Sequence, residues 1–277
     1  MTRTTRDPGP LRVVLICHHD APIHFDGVAR WLSSWATVTG LVVIQETAGT
    51  LVRRIRREVK RSGLLRFLDV LAYRLLYRLR YARSDAAWLS ARLETLRSTY
   101  DPLPAETPRL TVASPNSKAA EDFIATARPD LIVALCKNIL AERIFSLGRH
   151  GTVVFHPGIC PEYRNAHGCF WALANDDLDR VGMTVLRIDK GIDTGPVLGY
   201  FRAPYDEVRE SHVRIQQRMM LDNLNAIQAL LVSLSNGTAA PIDVSGRESH
   251  EWGQPWFTAW RRWKSRARRR QREVHRA

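Results

Sequence analysis

The chain has 277 residues, 45% of them hydrophobic, which is enough to bury a substantial core without disulfide support. Its 41 lysines and arginines against 28 acidic residues give a formal net charge of +13, and much of that excess sits in two blocks, Arg53 to Arg83 and Arg261 to Arg276. This distribution describes a near-neutral body with basic additions and argues against a uniformly basic nucleic-acid binder.

Residues 11–17 (LRVVLIC) form a short apolar, β-branched run that suits a strand buried on both faces. The polar segment HHDAPIHFDG follows, then helical spacing at Val28, Leu32 and Trp35, then a second buried strand in VTGLVVIQ. Strand, helix, strand in that order implies parallel pairing through a right-handed crossover. A long helical signal over 51–98 interrupts the rhythm, with Leu64, Leu68, Leu71, Leu75 and Leu79 at three- and four-residue steps and Tyr73, Tyr77 and Tyr81 as a second stripe. The expected arrangement is a core-packing helix with a solvated basic face. Contact with a membrane surface through 51–83, or with a partner or nucleotide, is the alternative that its arginines leave open.

After Pro102, Pro104 and Pro108 the α/β rhythm resumes. Strands are expected at 109–114, 130–136 and 151–158, with helices over 117–127 and 141–148 between them. A loop-rich stretch through GICPEYRNAHGC, a helix over 170–176, strands near 181–188 and 195–204 and a helix over 211–235 complete the body. The expected fold is α/β: a Rossmann-like, mostly parallel sheet flanked by helices, with a helical insertion at about 50–100 and a short helical C-terminal extension. Residues 1–240 would form the α/β domain and 241–277 a Trp/Arg-rich extension. Trp252, Trp256, Trp260 and Trp263 there suit packing or cover over a substrate, and RRWKSRARRRQR suits a solvated or partly disordered helix. The four cysteines show no CxxC spacing and no metal centre is expected. With no leader-like apolar segment and no run of about 18 apolar residues, the expected setting is a reducing cytoplasm.

Two residues stand out for chemistry. His156 ends an apolar strand just before Pro157-Gly158, at the carboxyl edge where ligands bind in open α/β sheets. Asp193 lies in GIDTGPV between Gly191 and Gly195, a loop that lets the backbone approach a ligand closely and aim a carboxylate. A carboxylate beside an imidazole orients the ring, raises its pKa and helps remove a proton from an attacking ammonium. Each residue alone reads equally as an ordinary strand-end histidine or turn aspartate.

The block FHPGICPEYRNAHGCFWALANDDLDRVGMTVLRIDKGIDTGPVL, preceded by VASPNSKAAEDFIATARPDLIVALCKNIL, resembles the catalytic domain of the folate-dependent formyltransferases, over roughly residues 109–200. That resemblance implies a formyl transfer from 10-formyltetrahydrofolate, with His156 and Asp193 as the catalytic pair. It also implies that Asn138, Ile139 and Leu140 line the pterin pocket, with Arg164, Asn165 and His167 on the loop near the reacting centre. One position departs from the family pattern: Val154 stands where an Asn-x-His triplet would place an oxyanion-binding asparagine, a donor worth about 10²–10³ in rate. Lys137, Asn138, Asn165 and His167 are the candidates to replace it.

The loop CHHDAPIHFDG lacks a glycine-rich phosphate cradle, which counts against a ribonucleotide acceptor. The length of chain after the catalytic segment leaves no room for the β-barrel of the tRNA-directed enzymes, and only about ten residues precede the first strand, short of a hydrolase regulatory domain. The expected acceptor is therefore a primary amine on a small metabolite, an amino sugar or a specialised-metabolite amine. The alternatives are a 10-formyltetrahydrofolate hydrolase, a catalytically altered folate-binding homologue, and an RNA-binding or tRNA-directed protein. Sequence leaves the oligomeric state open.

Overall fold

A computed structural model describes residues 10–46, 63–274 and 276. The predicted start of the insertion at 51 and the arginines from Arg53 to Arg61 lie outside them. The chain divides into two compact units: residues 1–46, 92–154 and 228–240 form the first, and residues 47–91, 155–227 and 241–277 the second.

The first unit is built on parallel strands: β1 (Arg12–His18), β2 (Thr37–Ile44), β3 (Arg109–Val112), β4 (Leu131–Leu135) and the beginning of β5 (Thr152–His156), in the order β3-β2-β1-β4-β5. β1 lies in the middle, with Leu15 opposite Leu41 on one side and Val133 on the other. Val13 to Cys17 are wholly buried, which is why this run carries no polar alternation. The thiol of Cys17 behaves as one more apolar side chain, and burial pushes its pKa up to about 12.

The predicted helix after β1 begins earlier than expected. A π-type turn over Ile23–Val28 precedes α1 (Ala29–Ser33), and it brings Gly27 against the helix formed by residues 82–99. A Cβ on Gly27 would lie 2.7 Å from the Leu96 Cδ1, so this glycine serves packing. Between β3 and β4, Ser117 caps α4 (Lys118–Ala127) by accepting from the Ala120 N–H at 3.2 Å. Arg128, at a φ of 42°, ends the helix ahead of Pro129.

The 51–98 helical signal resolves into α2 (Leu64–Arg80) and α3 (Ala82–Thr99), parted at Tyr81, and α2 overturns the expected burial. Its tyrosines face inward, Tyr73 and Tyr81 each 4% exposed, while Leu65 and Leu79 are 85% and 78% exposed. The tyrosines carry hydroxyls that find buried partners: Tyr73 at His212 Nδ1, 2.8 Å, and Tyr77 donating to Asp85 Oδ2, 3.1 Å. Leucine has no such use for the polar interior of this unit.

The rest of the second unit continues from the end of β5 in the order β5-β7-β8, with β7 (Met183–Arg187) and β8 (Val197–Phe201) antiparallel. α5 (Glu142–Phe145) precedes β5 in the first unit, whereas α6 (Gly168–Ala174) belongs to the second. The single helix expected over 211–235 is two, α7 (His212–Leu221) and α8 (Leu224–Ser235), parted at Asp222-Asn223. A short parallel pair, β6 (Arg164–Asn165) with β9 (Glu251–Trp252), is additional to the predicted strands.

The basic extension forms α9 (Phe257–Val274), an ordered helix with Trp263, Lys264 and Ala267 buried, and it packs on α2 and α6. Part of its charge is spent within the unit: Arg270 pairs with Glu207 at 2.7 Å and with Asp176 at 2.5 Å. No helix among the described residues is long and apolar enough to cross a membrane.

Candidate active site

His156 closes β5, and its ring is held at both nitrogens. Nδ1 lies 3.2 Å from Asp193 Oδ2, and Nε2 lies 2.6 Å from the carbonyl oxygen of Tyr163. Both partners are acceptors, so both ring nitrogens must carry hydrogen: the arrangement selects the imidazolium. Burial of the ring, 3% exposed, opposes that charge, but the interactions with Cys160 and Asp193 outweigh it and hold the His156 pKa well above its ordinary value.

Asp193 reaches the ring from a strained turn. Its φ of 52° is left-handed, a conformation that aspartate tolerates better than most side chains. Asp193 Oδ2 also accepts the Asn165 N–H at 2.8 Å. Burial would raise its pKa, but His156, the Asn165 N–H and Arg164 reverse that and leave it below the usual 3.8. The guanidinium of Arg164 donates to the Ile192 carbonyl at 2.8 Å and to Ser249 Oγ at 2.9 Å, so Arg164 fastens the turn that carries the carboxylate.

The second unit thus brings together His156, Asp193, Arg164 and Asn165. Asn165 donates its amide hydrogens to Trp252 O at 2.6 Å and Glu251 Oε1 at 3.3 Å, an engagement that takes it out of contention as the missing oxyanion donor. Val154 shares a face of β5 with His156 by the strand's period of two and supplies no donor.

His167 caps α6 in a left-handed conformation, φ 55°. Its Nδ1 lies 3.1 Å from His212 Nε2, and His212 Nδ1 meets the Tyr73 hydroxyl at 2.8 Å. Burial first, then the neighbouring His167 and Lys264, lower the His212 pKa well below its ordinary value, so this ring is neutral and donates at one nitrogen only. Sequence reasoning missed His212 altogether, since an isolated histidine at the start of a helix carries no signal.

Close backbone approach explains two glycines. A Cβ on Gly168 would run into the Gly158 Cα and the Pro157 carbonyl, and one on Gly158 would lie 2.9 Å from the His156 Nε2. Gly168→Ala is expected to cost about 1–3 kcal/mol of stability and to lower turnover with it, as measured by thermal melts and initial rates. Unchanged behaviour on both counts would remove this account of the loop.

Lys137, Asn138, Ile139 and Leu140 belong to the first unit, on the segment after β4. Asn116 clamps this segment by donating from Nδ2 to the Ile139 carbonyl and accepting from the Ala141 N–H, each at 2.8 Å. The Lys137 N–H donates to His18 Nε2 at 3.1 Å, and the Lys137 side chain is exposed. Two features of this segment fit a bound heterocycle: Asn138 Oδ1 is buried with no hydrogen-bond partner among the described residues, and Ile139 is 68% exposed.

A separate cavity of about 550 Å³ in the second unit is edged by Tyr163, Asp177, Arg180, Arg247, His250 and Trp252. Tyr163 stacks on Trp252 at 5.7 Å, and Trp252 stacks in turn on Trp171 at 4.8 Å. The same Tyr163 whose ring lines the cavity gives its carbonyl to His156.

The formyl transferase family model matches residues 91–231, just over half of the chain. A methionyl-tRNA formyltransferase of Thermotoga maritima is 29% identical over 150 residues, covering 50% of this chain and 47% of that protein. A GDP-perosamine N-formyltransferase of Brucella melitensis is 25% identical over 130 residues, covering 47% and 49%. The chain thus spans about half the length of these curated relatives. Among solved structures, a sugar N-formyltransferase from a Shewanella species superposes with a TM-score of 0.53 at 13% identity, over 93% of this chain and 87% of that one. A phosphoribosylglycinamide formyltransferase from Anaplasma phagocytophilum gives 0.54 at 12% identity, over 89% and 100%. At these identities the superpositions speak for the fold.

Proposed function

The chain belongs to the formyl transferase family, and from that premise we propose that it moves a formyl group from 10-formyltetrahydrofolate to a primary amine of a small metabolite, an amino sugar or a specialised-metabolite amine. The observation that carries this reading is the buried His156 imidazolium between the Asp193 carboxylate and the Tyr163 carbonyl. Such a pair sets a fixed positive charge for the oxygen that gains negative charge and a carboxylate for the proton that the attacking ammonium gives up.

The donor supplies an electrophilic formyl carbon when bound, and Asn138, Ile139 and Leu140 are the residues that would hold its heterocycle. The orphaned Asn138 Oδ1 fits the amino groups of a pterin, and the exposed Ile139 fits its flat face. With Val154 in place of the asparagine, and Asn165 engaged by Glu251 and Trp252, the formyl oxygen is stabilised in this proposal by the positive charge of His156, whose two N–H groups are already held by Asp193 and the Tyr163 carbonyl.

Two features support a small polar acceptor. The only glycine in the loop after β1, Gly27, is used for packing against Leu96, so that loop offers no phosphate cradle. The Tyr163–Trp252 cavity joins aromatic faces to carboxylates and guanidiniums, a lining suited to a hydroxylated ring bearing an amine. Trp252→Ala is expected to raise the KM of the acceptor about tenfold while changing the KM of the donor little. Equal effects on both would move the acceptor elsewhere.

The direct test incubates the purified chain with 10-formyltetrahydrofolate and pooled amines, following tetrahydrofolate release and product mass, with His156→Ala as control. Amine-dependent product that vanishes in the variant supports the proposal. Formate release without an amine identifies a hydrolase, and donor binding without turnover over a broad panel identifies a folate-binding homologue. A tRNA-directed enzyme would formylate charged tRNA in preference to the pooled amines.

A further inference from the structure

The leucines of α2 are placed for a partner. At 100° per residue, Leu65, Leu68, Leu71, Leu75 and Leu79 fall within an arc of about 120°, opposite the buried Val70, Tyr73 and Tyr81. All five leucines are exposed, over a length of about 21 Å at 1.5 Å per residue, and an apolar stripe of this extent marks an interaction surface. Arg74 and Arg78 flank the arc on one side, Asp69 and then Arg80 follow its other edge, and Arg66 lies on the far face of the helix.

At the amino end of the stripe a cavity of about 330 Å³ is lined by Leu65, Arg66, Asp69, Trp256, Thr258 and Arg262. Thr258 holds Asp69 there through its hydroxyl at 2.6 Å and its N–H at 3.1 Å, while Arg66 lies over Trp256 at 3.7 Å. α9 packs beside α2 and adds the exposed Arg261, Arg262, Arg268 and Arg269. The segment that leads into α2, residues 51–61, reads LVRRIRREVKR and continues the same alternation of apolar and cationic residues.

We propose that α2 lies in the surface of an anionic phospholipid bilayer, its leucines in the acyl boundary, its flanking arginines among the headgroups, and a headgroup phosphate in the cavity beside Arg66 and Arg262. Charge complementarity selects this occupant: an apolar band bordered by Arg74 and Arg78 on one side and, past an Asp69 already held by Thr258, by Arg80 on the other, with the exposed arginines of α9 nearby, matches a surface that is apolar below and anionic above. A second copy of this chain would bring the same arginine borders face to face. The proposal is independent of the formyl transfer reading, because it is read out by binding alone.

Flotation of the full chain with vesicles tests it. Vesicles of phosphatidylcholine with phosphatidylglycerol should capture the protein, pure phosphatidylcholine should capture little, and high salt should release most of it. Leu68→Glu with Leu75→Glu should reduce capture by more than about tenfold, Arg74→Glu with Arg78→Glu by about fivefold or more per arginine, and Arg262→Glu should weaken it further. His156→Ala should float as the wild type does. Circular dichroism on each variant separates lost binding from lost folding. Wild-type protein that ignores anionic vesicles overturns the proposal. So does a wild-type dimer in sedimentation velocity that the double glutamate variant converts to monomer.

Discussion

Asp193→Asn should lower kcat by roughly 10²–10⁴, the span typical of a lost acid–base partner, and leave the donor's KM nearly unchanged. Asparagine is the informative replacement because it adopts a left-handed backbone as readily as aspartate does, so the turn at φ 52° survives and only the charge is removed. Without that charge only Cys160 is left to oppose burial, and the His156 pKa falls from its wild-type position well above the ordinary 6.5. Between the pKa of the variant and that of the wild type the variant ring carries one proton where the wild type carries two, and either Nδ1 or Nε2 loses its hydrogen bond. Nitrogen-detected NMR of His156 should show two protonated ring nitrogens in the wild type and one in the variant. Turnover that survives the substitution would dismiss the pair as the reacting centre.

The same pair links stability to pH. Asp193 has a folded-state pKa below 3.8, so its contribution is whole above that value and is lost as pH falls through the folded pKa. His156 has a folded-state pKa above 6.5, so its contribution is whole below 6.5 and is lost as pH rises through the folded pKa. Both are complete between about 3.8 and 6.5, and chemical denaturation should find Asp193→Asn most costly in that window.

The parallel strands were legible in the sequence because Val13 to Cys17 and Leu131 to Leu135 are apolar without interruption, which only a strand covered on both faces requires. The family resemblance singled out His156 and Asp193 across 37 residues of sequence, but not what makes the pair distinctive. The second acceptor on the ring is a backbone carbonyl, Tyr163, and a carbonyl has no signature in a sequence. Helix α2 shows a different limit. Leucines and tyrosines both recur at helical spacing, so periodicity finds the helix and cannot say which stripe turns inward. Hydroxyl partners at His212 and Asp85, more than a hundred residues away and eight residues away, decide it for the tyrosines. The breaks at Tyr81 and at Asp222-Asn223 were hidden because neither involves proline or glycine.

Lys264→Met should be the most destabilising single change in the extension. The side chain is 2% exposed, and its ammonium donates to the carbonyls of Glu207 at 2.7 Å, Val208 at 3.3 Å and Glu210 at 2.6 Å, while resting 3.8 Å from the centre of the Trp263 ring. Those carbonyls belong to the turn before α7, whose cap Ser211 accepts from the Arg214 N–H at 3.1 Å. Lys264 therefore ties α9 to the start of the helix that carries His212. Methionine fills the same volume and removes the cost of burying a charge, but it strands three carbonyls, each worth about 1–3 kcal/mol when left unpaired. A net loss of about 3 kcal/mol is expected, lowering Tm by about 6–12 °C for a chain of this size. Burial pushes the Lys264 pKa from 10.5 down to about 7, so between these values the unfolded chain binds the extra proton and stability rises with pH. The gap between wild type and Lys264→Met should accordingly widen as pH is raised from about 7 towards 10.5. A variant that melts with the wild type would mean that the three carbonyls do not depend on this side chain, and a gap that stays flat across that range would mean that burial does not lower the Lys264 pKa.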